Sequence, residues 1–509
     1  MIKRHQPIRR VFLRSTIYWT AAIAAGGFLG APGVHAADSQ GASDQKPPNL
    51  VLLHTDQQRR DTLSVYAALK KSSMSASPDT PHLDSLAAQG ARFDNFYTPA
   101  PVCSPSRACM MTGRYPYEHT VVDNTGLEAG SPYSLPDSEI GFAEVLKERG
   151  YVTGYLGKWH LTRVGIPGFV PPEKRHGFDF WFANNRGHWK DPYRGFKGDV
   201  PTEIQVPGYT TDVLGEQLSK FIEANKDRPF AVVCSWPDPH TAYTISPPYR
   251  DLYDPRKIPL PANFIPEDGQ YIHWAPRRQS HQKLIDREIK AGRARNEQEA
   301  VQNITAQYWG MVKCIDDNVG RVISTLRKNG LLDRTIIVFT TDHGDYMGSH
   351  GQFMKGRMHD EAIHLPLVMR YPAVIKPGTV VDEMVSMIDL APTLLDLMDA
   401  PIPDPVSGRS AVSLLRGEKV PDWPDCVFLS HRTTRGIRTH DWTYLIHESG
   451  EPTLFDQRND WLELHNHVNE PDNREVVNAL HKRLVDWLEA AGEPFAETAQ
   501  GPNSDSAHE

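Results

Sequence analysis

Cysteine is scarce in this chain: Cys103, Cys109, Cys234, Cys314 and Cys426 are the five thiols among 509 residues. So few exclude a disulfide framework as the organiser of the fold, and their odd number leaves one over under any pairing. An excess of positive charge is lacking too. Fifty-five Lys and Arg against 63 Asp and Glu give a net charge of −8, so no global basic field draws the chain to nucleic acid. An anionic ligand would need a local cationic pocket. Long apolar runs are also absent. The mild stretch at 17–29 contains Gly26 and Gly27 and is too short to span a bilayer, so no stable membrane insertion is expected. No internal repeat is apparent. What is present is an ordinary globular composition, 39% hydrophobic and 23% charged, in a chain long enough for a large core and more than one domain.

Residues 1–37 read as a signal peptide. Lys3, Arg4 and the run Arg9-Arg10-Val11-Phe12-Leu13-Arg14 form a basic start, the stretch at 17–29 follows, and Val34-His35-Ala36 suits a cleavage site. Arg9-Arg10 ahead of Val11-Phe12-Leu13 resembles a twin-arginine signal, although Ile8 stands where Ser or Thr is usual; a Sec signal is the alternative. Either route predicts a periplasmic or extracellular protein. Residues 38–48 are polar and contain proline, as a linker would.

Short runs rich in β-branched residues then alternate with helical stretches, which predicts an α/β sandwich with a largely parallel sheet. Four runs, at 49–53, 151–156, 230–235 and 335–340, are each followed by a polar cluster: HTDQQ, GKWH, WPDPH and TDHGD. Ligands of open α/β sheets bind beyond the carboxyl ends of the strands, so the four clusters should converge. Residues 304–326 keep helical apolar spacing up to a stop at Gly330. The body of the chain is assigned to 49–419. Residues 420–496 predict a small α+β subdomain, with short antiparallel strands at 426–430, 436–438, 443–447 and 452–455 and a final helix, before a disordered tail at 497–509.

Cys103-Ser104-Pro105-Ser106-Arg107, four further residues, then Thr112-Gly113 repeat the pattern C-x-P-S-R-x4-T-G. Six fixed residue types at set spacing recur by chance at about one in 10⁷ to 10⁸ start positions. The segment resembles the signature of the type I sulfatases, members of the alkaline-phosphatase-like superfamily. A turn leading into a helix, with Cys103 as a buried thiol, is the plainer alternative, but it explains neither Arg107 nor the other clusters.

The resemblance spans residues 49–487 and implies the alkaline-phosphatase-like fold: a large mixed, mostly parallel sheet flanked by helices, plus a C-terminal subdomain with a small antiparallel sheet. It implies that Cys103 is converted to Cα-formylglycine (3-oxoalanine) by a formylglycine-generating or anaerobic sulfatase-maturating enzyme. One hydroxyl of the aldehyde hydrate attacks sulfur, and the second lets the sulfated enzyme collapse and release sulfate. Asp56-Gln57 and Asp342-His343 match the family's two metal-binding pairs, with one Ca2+ per chain and Cys103 at the ion. Gln57 replaces the usual Asp and His343 the commoner Asn, so a transition metal deserves testing. Arg107 and Lys158 are implied to orient the nucleophile and His160 to act as its base. His240 and Lys355 are implied to grip the sulfate and protonate the leaving oxygen.

Between strand ends, Gly187-His188-Trp189-Lys190 and Tyr193-Arg194 offer aromatic and basic side chains to a sugar ring, and a plain surface loop reads equally well. Asn124, His359, Arg432 and Arg435 are further substrate-binding candidates. Asn303-Ile304-Thr305 fits a glycosylation acceptor but falls in a predicted helix. The expected reaction is hydrolysis of sulfate esters of polysaccharides or oligosaccharides. The rivals are a formylglycine-dependent phosphonate monoester or phosphodiester hydrolase, which the pair Lys158/His160 disfavours, and a non-catalytic carbohydrate-binding pseudoenzyme.

Overall fold

In the run Asn49-Leu50-Val51-Leu52-Leu53 both alternating sets of side chains are apolar, which a strand sustains only when both of its faces are covered. The computed structural model describes residues 46–69, 71–126, 134–264, 279–448, 451–493 and 495. In it the four runs are strands β1 (Asn49–Asp56), β2 (Val152–Lys158), β3 (Phe230–Pro239) and β4 (Thr335–Thr341). They lie side by side in the order β4-β1-β3-β2, all parallel. Each strand runs one or more residues beyond its apolar stretch, so Asp56, Lys158 and Pro237-Asp238-Pro239 are still on strands when they reach the site.

These four are the centre of a ten-stranded mixed sheet. Leu367–Arg370 adds antiparallel to β4, followed by Ala91–Phe93 and Thr379–Val381; beyond β2 lie Phe180–Asn184, Tyr193–Lys197 and Ile204–Val206. Leu50 and Leu52 pack with Ala108, Met110 and Met111 of the helix Cys103–Thr112. Val51 and Leu53 face the opposite layer, where the helices Thr210–Ala224 and Glu297–Lys328 contribute Leu214, Leu218, Ile315 and Val319. The helix expected at 304–326 thus starts earlier, with Asn296 capping it by accepting from Glu299 N–H at 2.9 Å.

Strands Cys426–His431, Thr434–Thr439, Trp442–His447 and Thr453–Asp456 form the predicted antiparallel meander, backed by the helix Arg474–Ala490. A separate three-stranded sheet, His364–Leu365, Phe96–Tyr97 and Val385–Ser386, lies beside it. No helix among the described residues is long and apolar enough to cross a membrane. The expected signal peptide, most of the linker and the tail lie outside the described residues.

Candidate active site

The convergence expected of four strand ends is observed, and its centre is Cys103. This thiol opens the helix Cys103–Thr112 and is only 1% exposed. Four groups surround Sγ: His343 Nε2 at 3.3 Å, Lys158 Nζ at 3.3 Å, Lys355 Nζ at 3.5 Å and Asp56 Oδ1 at 3.7 Å. Burial and the Asp56 carboxylate push the thiol up, but Lys158 and Lys355 outweigh them and bring it down to about 7. The other four thiols are buried and unpaired, and burial raises all of them. Cys103 is therefore the one thiol of the five whose surroundings favour the thiolate.

Arg107, one turn into the same helix, holds the floor together. Its Nη2 donates to Asp56 Oδ2 at 2.9 Å and its Nε to Asp342 Oδ2 at 3.0 Å, while Nη1 reaches the Lys158 carbonyl at 2.8 Å and Ser235 Oγ at 2.7 Å. One guanidinium therefore ties β1, β2, β3 and the loop after β4. Lys158 Nζ also donates to Asp56 Oδ2. Burial alone would raise the Asp56 carboxyl; Lys158 and the neighbouring cations hold it well below the usual range.

Asp56, Cys103, Asp342 and His343 each bring one ligand atom within 4.8 Å of the others, all buried. His343 Nδ1 is 2.9 Å from the Gly344 carbonyl, which can only accept, so Nδ1 carries the proton and Nε2 turns its lone pair toward the carboxylates. Burial lowers the His343 imidazole, but Asp342 lifts it above its ordinary value, as expected where carboxylates wait for a positive charge. Two carboxylates, an imidazole and no water-exposed wall fit a dication held mainly by oxygen. Gln57 sits differently. Its Nε2 donates to Asp345 Oδ2 at 2.5 Å and to Tyr243 Oη at 3.3 Å, which fixes the amide so that Oε1 accepts from Lys355 at 2.6 Å. The Gln57 oxygen thus faces Lys355 on the Cys103 side and is shared with that lysine.

Two Lys–His pairs complete the cationic pocket. Lys355 Nζ donates to His240 Nε2 at 2.6 Å, and Lys158 Nζ to His188 Nε2 at 3.0 Å; the two imidazoles stack with centroids 3.7 Å apart. Burial, with Lys158 beside it, takes His188 down to about 3, and burial, His188 and Lys355 lower His240 strongly, so both rings are neutral acceptors. His240 Nδ1–H donates to the Thr241 carbonyl at 2.8 Å. Lys190 braces the same corner, bonding Asp238 Oδ1 at 2.5 Å and the His240 carbonyl at 2.9 Å.

His160 is buried with a positive φ of 59°, and both ring nitrogens lack a hydrogen-bond partner. Its carbonyl accepts from Ser104 Oγ at 2.6 Å, next in chain to Cys103. Burial, with Lys158, Arg186 and Arg107 nearby, lowers this imidazole strongly, so it is neutral. Gly157 places this segment: a Cβ there would meet the Ser235 carbonyl at 2.0 Å, so only glycine lets β2 approach β3 so closely.

The remaining candidates lie further out. Asn124 Oδ1 accepts from Ser104 N–H at 3.0 Å, and Arg432, 57% exposed, pairs with the adjacent Asp123 at 2.8 Å. Arg194 stacks on Trp189 at 4.7 Å and bonds Glu203 at 2.5 Å. Arg435 is locked to Glu493 at 2.5 Å, and His359 bonds Tyr346 Oη at 2.6 Å. The residue sequence reasoning undervalued is His188, placed with the sugar-binding candidates yet bonded to Lys158. Asp345 was passed over within TDHGD, although it fixes Gln57, Tyr243 and the Met354 N–H (2.9 Å) next to Lys355.

With this geometry in view, the comparisons are unambiguous. The sulfatase family profile matches residues 48–400, and the profile of the N-sulphoglucosamine sulphohydrolase C-terminal region matches 348–490. An ulvan-active sulfatase of Formosa agariphila is 29% identical over 464 residues, covering 88% of this chain and 82% of its own. An N-acetylglucosamine-6-O-sulfatase of Bacteroides thetaiotaomicron is 28% identical over 436 residues, covering 75% and 73%. Among solved structures, one from Bacteroides fragilis described as the sulfatase yidJ superposes with a TM-score of 0.76 at 29% identity, covering 91% of this chain and all of its own. A phosphonate monoester hydrolase from Silicibacter pomeroyi shares the fold at a TM-score of 0.69 and 24% identity, covering 87% of this chain and 95% of its own. Fold alone does not choose between these chemistries, but the profile over more than two thirds of the chain does: this protein belongs to the sulfatase family of sulfuric ester hydrolases.

Proposed function

We propose that this sulfatase removes sulfate from a sulfated polysaccharide or oligosaccharide outside the cytoplasm, with Cys103 matured to formylglycine. The observation that carries the reading is the convergence of two lysines, each paired with a neutral histidine, on the Cys103 Sγ. A sulfate monoester presents three peripheral oxygens, and Lys158 and Lys355 offer donors around the place where such a group would sit, each steadied by its histidine. A phosphodiester spends one of those oxygens on a second substituent and wants room instead. The carbohydrate reading is supported by relatives that act on ulvan and on N-acetylglucosamine 6-sulfate.

Asp56, Asp342 and His343 would hold the metal, calcium by the oxygen-rich donor set, with Gln57 at its edge; it would supply positive charge to the sulfate oxygens, and the formylglycine hydrate the attacking hydroxyl. The chain's own residues do the rest. Arg107 keeps both carboxylates ionised and aligned. Lys158 holds the Cys103 side chain against Asp56. Lys355, which donates to His240 across 2.6 Å, would with it protonate the leaving oxygen. His160, orphaned and neutral, is the base for the remaining hydroxyl. Asn124 and Arg432 flank the start of the Cys103 helix, and Trp189 with Arg194 offers a stacking surface; these would contact the sugar.

Activity on defined sulfated oligosaccharides, an aryl sulfate and a phosphodiester, measured on one preparation, tests this. A kcat/KM on the diester above that on every sulfate ester would overturn the reading. Intact mass of the active protein checks maturation: an unaltered Cys103 in a fully active sample removes formylglycine from the mechanism.

A further inference from the structure

In the C-terminal subdomain, the segment that follows strand Thr453–Asp456 carries Asp460, His465 and His467, whose ligand atoms lie within 4.8 Å of one another. His465 Nδ1 and His467 Nε2 each stand 3.5 Å from Asp460 Oδ2. Donors 2.0–2.1 Å from a tetrahedral ion are about 3.3–3.4 Å apart, so two edges of the triangle already have nearly the required length.

The protons point the same way. His467 Nδ1 lies 2.7 Å from Glu470 Oε1, and since a carboxylate accepts, Nδ1 is the donor, which leaves Nε2 as the ring atom that can ligate. That Nε2 is buried, makes no hydrogen bond, and faces the Asp460 carboxylate. A metal dication between this nitrogen and the carboxylate would satisfy both as ligands. The arrangement is not a loose loop. Asp460 accepts from Leu464 N–H at 3.1 Å and His465 N–H at 2.7 Å, and His467 N–H donates to the Leu454 carbonyl at 2.9 Å. Glu470 behind His467 is the orienting carboxylate that metal-bound histidines commonly have. His465, 73% exposed, leaves a path for entry.

We propose that Asp460, His465 and His467 bind a first-row transition-metal dication, with Zn2+ as the reference ion, at a site separate from the Cys103 cluster. Two imidazoles and one carboxylate suit zinc and disfavour calcium, which seeks six or more oxygens. Three protein donors leave a fourth position for water. The bound ion clamps the turn from Asp460 to His467 against the meander, so its role is to stabilise the C-terminal subdomain.

The test is Zn2+ titration of the full-length chain, saturated beforehand with Ca2+, by calorimetry and by thermal unfolding. One equivalent of zinc and a raised unfolding midpoint are expected, both kept in Cys103→Ala. Both should be lost in His467→Ala and in His465→Ala, where the exposed ring can be removed without disturbing packing. Glu470→Gln should weaken zinc about 10- to 100-fold while the fold persists. Zinc uptake that is absent in the wild type, or equal in the wild type and both histidine variants, overturns the proposal; a proton on His467 would then supply the positive charge.

Discussion

Cys103 and Cys109 stand six residues apart on one helix and are both buried, yet they have opposite chemistry. At the helix start, two lysines outweigh burial and the thiol lies at about 7. Further along, Cys109 is enclosed by core side chains, lies 3.5 Å from His119 Nε2, and burial drives it well above its ordinary value. Burial therefore does not decide reactivity; the charges that the fold imports into the buried space do. The helix is half active-site wall and half core, and the signature residues Cys103, Ser106 and Arg107 all belong to its first half.

The largest expected effect breaks this comparison outright. Cys103→Ala should lower turnover on the order of 10⁶-fold with an unchanged circular dichroism spectrum, whereas Cys109→Ala should leave turnover within about twofold. Equal losses in the two would place the nucleophile elsewhere. Next come the imported charges: Lys158→Met and Lys355→Met should each cost about 10²- to 10³-fold in kcat on the preferred sulfate ester. Asp345→Asn should cost about 10- to 100-fold, because Gln57 loses the partner that turns its oxygen to Lys355. Because the variant touches no reacting atom, its loss should appear in kcat with melting behaviour preserved. A subtler check uses unmatured protein. Thiolate absorbance should rise as pH climbs through about 7. This titration should vanish in Cys103→Ala, persist in Cys109→Ala, and move to higher pH in Lys158→Met, since removing a positive charge disfavours the thiolate. The smallest effect is the loss of about 1–2 kcal/mol of stability from the cavity left by Cys109→Ala, read from denaturant unfolding.

The central strands were legible because each is apolar on both faces and ends abruptly in charge, a pattern that only a doubly covered sheet requires. Lys158, His240 and Lys355 could be read from local motifs, since a strand end fixes where the next side chain points. His188 could not. Its pairing with Lys158 depends on the path of the loop between Phe180–Asn184 and Tyr193–Lys197, short strands whose composition gives little periodic signal. Asp345 was hidden for another reason: its donors come from residues 57, 243, 347 and 354, brought together only by the finished fold. In the C-terminal meander the strands were found to within one or two residues at most ends, because alternation there is simple.

The Arg107 guanidinium, with its bonds to three strands and the Asp342 loop, also sets an order of events. Once it is seated, the segment from Cys103 to Arg107 is sealed, with Ser104 and Ser106 bonded to backbone carbonyls at 2.6 and 2.5 Å. Under the maturation proposed for Cys103, an enzyme that takes this stretch as extended chain would have to act while the sheet is still incomplete. Folding would then set a deadline for that maturation, and a chain that folded early would keep its thiol.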